Sequence, residues 1–227
     1  MRILILLFFT FSSIAQNNDQ RLAYQYFING DYDKAVVLYE EINKKSFSLN
    51  TYNPFFTSLI NLNRFSEAEK LARKQYSKNS TRLNFLADLI ISQYKLDQKN
   101  RYSFNLKKII KKIDGRNSQV IQVANRFQLF EMYSVALEIY DKSSEINENY
   151  QYDLQKAQLY GLLGDEELMI NKNIDYLLRN PNQKKVVFSN IQRFVDNNGI
   201  KNNNNYTIVK KSLLNIIKLY PERYDFN

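Results

Sequence analysis

A short turn-and-helix pattern recurs along the 227-residue chain at intervals of 33 or 34 residues. Its clearest copy runs from Asn29 to Ile42, where Gly30 precedes a helical pattern that carries the small residue Ala35 on its apolar side. Similar segments surround Ala68 and Ala136. A repeat of about this length is typical of stacked helical hairpins, because a single hairpin cannot bury both of its apolar faces. The repeat therefore predicts an all-α chain.

The composition supports helices joined by tight turns and limits the chemistry that is available. The chain has five Gly, three Pro, no Cys and no His. The small number of Gly and Pro residues argues against a strand-rich fold, which needs many turns that contain them. Without Cys or His there are no disulfides, no zinc sites built on these ligands and no histidine general base. We expect no cofactor.

The net charge of +9 is compatible with several kinds of partner. Such a surplus attracts nucleic acid, anionic lipid or acidic protein. Asn, Lys, Ile and Tyr are all abundant, however, which indicates A/T-rich coding and not selection for charge. We expect no nucleic-acid partner, because the clustered basic residues do not share a helix face with the aromatic residues, as a nucleic-acid groove would require.

Residues 1–15 have the pattern of a secretory signal peptide. Arg2 precedes a short apolar run, and Ser13 and Ala15 are the small residues at the predicted cleavage site. The alternative is a membrane anchor, but the apolar run is shorter than the roughly 20 residues that a spanning helix needs. We expect an exported protein, periplasmic or associated with the cell surface, with no transmembrane segment after cleavage.

Five copies of the repeat align in one register. The turn position holds Gly30, Asn63, Asp97, Glu131 and Gly164. Five residues later stand Ala35, Ala68, Tyr102, Ala136 and Met169. This arrangement resembles the tetratricopeptide repeat (TPR), a 34-residue hairpin that often has Gly at position 15 and prefers Ala at position 20. The resemblance covers about residues 16–183 and implies a right-handed α-solenoid of five hairpins. It departs from the family pattern at Lys156, where a large apolar residue is usual.

Residues 184–227 predict an irregular sixth hairpin that continues the solenoid. Its helices are predicted at Lys184–Asp196 and Tyr206–Tyr220, with an Asn-rich polar loop between them. Val186, Val187, Ile191 and Phe194 are predicted to face inward. Solenoids usually end in a helix with a polar outer face, and none follows here. We expect the natural protein to be longer. Its export signal, its repeat and its Cys-free, Asn- and Lys-rich composition are together similar to those of exported TPR proteins of the Bacteroidota.

The resemblance also implies a binding surface. In TPR proteins the first helix of each hairpin lines a concave groove, which here would hold amides, aromatic rings and aliphatic side chains. Such a groove suits an extended or helical peptide. The alternative is that the groove is architecture only. The implied groove residues are Tyr24, Phe27, Thr57, Ile60, Asn61, Ile91, Tyr94, Lys95, Asn125, Gln128, Leu129 and Gln158.

Four lysines on one predicted helix form a candidate basic patch: Lys107, Lys108, Lys111 and Lys112. A cluster of this kind attracts acidic protein or anionic lipid. The alternative interpretation, which we favour, is the solvated outer side of a helix.

The predicted function is a non-enzymatic protein–protein interaction scaffold of the cell envelope. One alternative is a structural spacer within a longer envelope protein. Another is a helical-repeat hydrolase, which needs carboxylates that converge in a cleft. The acidic runs Glu40–Glu41 and Asp165–Glu167 lie on an outer helix face and in a first helical turn, where helix-end electrostatics explain the second run.

Overall fold

The computed structural model describes residues 18–197, 203–219 and 221, which form twelve α-helices and no strand. The predicted signal peptide lies outside these residues. The described chain divides into two compact units, one ending at Lys111 and the other beginning at Lys112. The predicted boundary at residue 183 stays a prediction. Among the described helices, none has the length and apolar character needed to cross a membrane.

The first unit is built from three hairpins. They are α1 (18–28) with α2 (Tyr32–Lys45), α3 (Leu49–Asn61) with α4 (Phe65–Lys78), and α5 (Leu83–Lys95) with α6 (Lys99–Lys112). Helix α3 packs against both α2 and α4, and α4 packs against α5. The rings of Tyr52 and Phe85 meet edge to face with centroids 4.9 Å apart, so aromatic packing joins the second hairpin to the third.

The second unit continues with six more helices. They are α7 (Asn117–Leu129), α8 (Tyr133–Ile146), α9 (Asp153–Leu163), α10 (Glu166–Arg179), α11 (Lys184–Asn197) and α12 (Asn203–Leu219), with a 3₁₀ turn at Pro181–Gln183 before α11. Helix α10 packs against α9, α11 and α12. Ile170, Ile174 and Ile216 form part of the buried cluster at this junction. The irregular last hairpin is therefore held mainly by α10.

The same type of turn joins the two helices in each of the five predicted repeats. Its central residue has a positive φ each time: Gly30 (+81°), Asn63 (+57°), Asp97 (+52°), Glu131 (+63°) and Gly164 (+77°). The N–H of Glu131 donates to the carbonyl of Gln128, and the N–H of Met132 donates to that of Phe127, both at 3.0 Å. This pair of bonds is the Schellman motif, which satisfies the last carbonyls of a helix. The predicted register and the all-α hairpin fold are confirmed.

The alanines at position 20 and the unusual Lys156 are all buried, as the repeat pattern predicts for their positions. Ala35, Ala68 and Ala136 have no exposed surface. The side chain of Lys156 is only 7% exposed, and its Nζ lies 2.6 Å from Oδ1 of Asp141. Lys156 thus keeps the buried location of an apolar residue, because the carboxylate of Asp141 compensates its charge.

Two predictions for the last hairpin are wrong. Helix α12 begins at Asn203, so Asn203–Asn205 are helical and not part of the loop. Val186 is 40% exposed, whereas Val187 and Ile191 are buried against α10. Residues four apart share one helix face, and the face that carries Val187 and Ile191 is the one that meets α10. The side chain of Phe194 lies outside the described residues.

Candidate functional site

The first helix of each hairpin presents exposed side chains, which we call the first-helix surface. Its exposed predicted residues are Tyr24, Asn61, Tyr94, Lys95, Asn125, Leu129 and Gln158. In the first unit this surface carries two aromatic residues, Tyr24 and Tyr94, which are each 54% exposed. Asn61 and Lys95 are also exposed. Aromatic rings beside amide and ammonium groups can contact both apolar side chains and the main chain of a peptide.

The remaining predicted groove residues of the first unit are less accessible. Phe27 and Thr57 are half-buried. Ile91 is fully buried and Ile60 is 7% exposed, so both belong to the core beneath the surface. The family register predicts them to face outward, but both side chains are buried.

In the second unit the predicted residues are accessible. Asn125 and Gln158 are exposed, Leu129 is 58% exposed, and Gln128 is half-buried. The side chains of α7 and α9 therefore present amides beside one large aliphatic group. None of the predicted positions in this unit carries a charge.

A cleft of about 690 Å³ opens where α9, α10 and α11 meet, and it includes the predicted residue Gln158. We call it the α9–α11 cleft. Gln155, Val186, Asn190 and Arg193 also line it. The cleft thus combines amides, an exposed aliphatic side chain and one guanidinium, and none of its lining residues is acidic.

A chain of hydrogen bonds orders the polar side of the α9–α11 cleft. Arg193 donates to Oδ1 of Asn190 at 3.1 Å, and Nδ2 of Asn190 donates to Oδ1 of Asn173 at 3.2 Å. Asn173 is 2% exposed and donates in turn to the carbonyl of Met169. The amide orientations are fixed from the core outward, which lowers the entropy cost of binding a ligand there.

The predicted basic patch is divided by the structure. Lys107, Lys111 and Lys112 are exposed on α6. Lys108 instead lies over the ring of Tyr76, with Nζ 5.0 Å from the ring centroid. It lines a different cleft together with Arg101 of α6 and Arg73 of α4, which the sequence did not indicate because α4 and α6 are separated along the chain.

The acidic runs of the sequence have structural partners. Glu40 and Glu67 both accept from Arg64, Glu41 pairs with Lys44, and Asp165 accepts from the N–H of Leu168 at the start of α10. Within the part of the chain that is described, no group of acidic residues is arranged to hold a metal ion. These carboxylates neutralise neighbours and cap a helix.

Glu69 is the most enclosed glutamate with a perturbed pKa. Its burial acts to raise the pKa, but hydrogen bonds from Arg73, Gln98 and Gln93 outweigh burial and hold the pKa below its usual value. Its side chain is 12% exposed. The carboxylate is thus a fixed negative charge that connects α4 to α5 and to the turn before α6.

Comparison with known proteins gives similarity to solved structures alone. No protein-family model matches the chain, and no curated protein matches it. The thermophilic TPR protein TTC0263 of Thermus thermophilus is 15% identical with a TM-score of 0.45, covering 88% of this chain and 99% of its own. A MamA protein structure is 13% identical with a TM-score of 0.42, covering 75% of this chain and 94% of its own. Similarity of this degree assigns neither a family nor a function.

Proposed function

We propose that this chain is a non-enzymatic interaction scaffold that binds segments of partner proteins along its first-helix surface. The observation that carries the proposal is the α9–α11 cleft, which lies at the predicted residue Gln158. A cleft with exposed amides and apolar walls suits a peptide, since amides pair with the main chain and the walls accept side chains.

The distribution of charge supports a peptide ligand. Among the predicted groove residues, Lys95 is the one with a charge, and the α9–α11 cleft adds Arg193. Uncharged amides can donate and accept at the same time, as a peptide main chain requires. Nucleic acid would require a row of cations along the groove.

The non-enzymatic part of the proposal is supported by the carboxylates. A hydrolase of the carboxylate type needs two acids that face one cleft. In the described residues, Glu40 and Glu41 each have a basic partner, and Asp165 accepts from a backbone N–H. None of these three carboxylates lines the α9–α11 cleft or the cleft that contains Lys108.

The location in the cell envelope is part of the same proposal. It rests on the signal-peptide pattern of residues 1–15. An exported scaffold would meet other envelope proteins or peptides. N-terminal sequencing of the protein purified from its source cells tests this part, with a new terminus at Gln16 as the expected result and a terminus at Met1 as the contradicting one.

Affinity capture from envelope extracts of the source organism tests the binding function. The bait is the chain from Gln16, compared with a variant in which Tyr24, Tyr94 and Gln128 are changed to Ala. A control variant changes Val37, Lys70 and Glu138 to Ala, which are exposed on second helices. We expect one defined protein to be captured by the wild type and the control and lost with the first variant. Equal capture by all three baits favours the spacer alternative.

A further inference from the structure

A second cleft lies in the first unit, between α4 and α6 with its base on α5, and we call it the α4–α6 cleft. Its volume is about 630 Å³. Leu89 and Gln93 of α5 form its base, Tyr76 of α4 lines it, and each of the three is at most 9% exposed. Phe104 also lines it and is 68% exposed. The cleft therefore reaches the core, and the exposed ring of Phe104 lies at its wall.

The α4–α6 cleft is strongly basic. Arg73, Arg101 and Lys108 line it, and none of its lining residues is acidic. The carboxylate of Glu69 lies beneath and accepts from Arg73. Three cations against one largely buried carboxylate leave a positive surplus at the opening, which favours an anionic ligand.

Glu69 places the two arginines without using up their donors. Its Oε1 accepts from Arg73 and lies 3.8 Å from the guanidinium of Arg101. Arg73 and Arg101 remain 53% and 64% exposed. Since a guanidinium has five N–H donors, each arginine keeps donors for a carboxylate of a ligand.

The other polar groups of the cleft are also held in place. Lys108 is positioned by its contact with the Tyr76 ring. Nδ2 of Asn105 donates to Oε1 of Gln93 at 2.9 Å, and Gln93 donates to Glu69 at 3.4 Å. A site whose side chains are already ordered loses little entropy on binding.

We propose that the α4–α6 cleft binds an acidic peptide segment of a partner protein that carries an apolar side chain. The apolar side chain would fill the recess against Leu89 and Phe104, and neighbouring carboxylates would pair with Arg73 and Arg101. A lipid surface fits less well, because a broad plane reaches the exposed Lys107 and Lys111 but not a buried base. The proposal is independent of the first-helix surface.

Fluorescence anisotropy with a labelled peptide of alternating Glu and Phe tests this proposal, beside a Gln–Phe peptide of equal length. We expect the acidic peptide to bind the full chain more tightly, with an affinity that falls as salt is added. Arg101→Gln should weaken binding by about fivefold and Phe104→Ala by about tenfold. Lys70→Gln removes an exposed cation of α4 outside the cleft and should leave the affinity unchanged.

Circular dichroism of each variant shows whether it is folded. The proposal is overturned if the two peptides bind equally, or if the cleft variants and Lys70→Gln have the same effect. Two further results would overturn it if peptide binding is unchanged. One is that Arg101→Gln and Phe104→Ala abolish binding to phosphatidylglycerol vesicles. The other is that these substitutions dissociate an oligomer of this chain. If the wild-type protein binds the acidic peptide with an affinity that does not change with salt, the proposal is also contradicted.

Discussion

The hydroxyl group of Tyr52 in α3 donates a 2.8 Å hydrogen bond to Oδ2 of Asp88 in α5. Both residues have no exposed surface, so the bond joins two successive hairpins through the core. We expect Tyr52→Phe to lower the free energy of unfolding by about 1–3 kcal/mol, because a buried oxygen loses a donor. Urea unfolding at neutral pH measures the difference.

Tyr39 provides the matched control for this substitution. Burial raises the pKa of Tyr39 to about 12, and its hydroxyl has no hydrogen-bond partner within the described residues. Removing that oxygen loses no bond, so we expect Tyr39→Phe to leave the free energy of unfolding unchanged or to raise it. Equal losses for Tyr39→Phe and Tyr52→Phe would show that the bond to Asp88 does not stabilise the fold.

The turn residue Glu131 offers a simple route to higher stability. Its φ of +63° is costly for a residue with a Cβ, and Gly30 and Gly164 occupy the equivalent turns. We expect Glu131→Gly to raise the free energy of unfolding by about 0.5–1 kcal/mol. Asn63→Gly should gain less, because Asn tolerates this conformation better than Glu does. Thermal unfolding followed by circular dichroism tests both, and a lower melting temperature for Glu131→Gly would contradict the expectation.

Gly115, between α6 and α7, should be harder to replace than Gly30. A Cβ at Gly115 would lie 2.9 Å from Cγ2 of Ile146, and φ is +76°. At Gly30 φ is +81°, but nothing lies within 4 Å of such a Cβ. We therefore expect Gly115→Ala to cost about 1–3 kcal/mol more than Gly30→Ala.

Ile146→Ala removes the atom that would clash and should restore part of the stability lost in Gly115→Ala. Chemical unfolding of the two single variants and the double variant measures this coupling. Strictly additive effects would mean that backbone strain alone accounts for the loss.

Stability should depend on pH through Glu69. Its pKa is lower in the folded chain than the ordinary 4.5, so the folded state favours the carboxylate. The resulting stabilisation is fully present above that ordinary value and is lost as the pH falls through the folded pKa. We expect Glu69→Gln to flatten the decline of the urea midpoint below about pH 4.5, because the substitution removes the titrating group. Identical declines for the variant and the wild type would exclude this role.

The turns and the core alanines could be predicted from the sequence because they depend on local chemistry. Gly30 and Gly164 supply a positive φ directly, and the register of the position-20 residues predicts the equivalent turns at Asn63 and Glu131. Ala35 was predicted on the inner side of a helix and is fully buried. These features repeat with the chain, so one register predicts all of them.

Features that depend on contacts between helices were not predictable in this way. The α4–α6 cleft needs Arg73, Gln93 and Arg101 from three helices, and no short motif connects them. Ile91 is predicted to face a groove but is buried, because periodicity within one helix does not show which of its residues the rest of the fold covers.

The most direct test of the proposed function is site-specific photo-crosslinking in cells of the source organism. A photoreactive amino acid replaces Gln158 in the α9–α11 cleft or, as a control, Glu138, which is exposed on the second helix α8. If the first-helix surface is the binding site, Gln158 yields a cross-link to one defined partner segment and Glu138 does not. Arg193→Gln should then reduce the yield from Gln158. Equal cross-linking from both positions, or none from Gln158, would contradict the account.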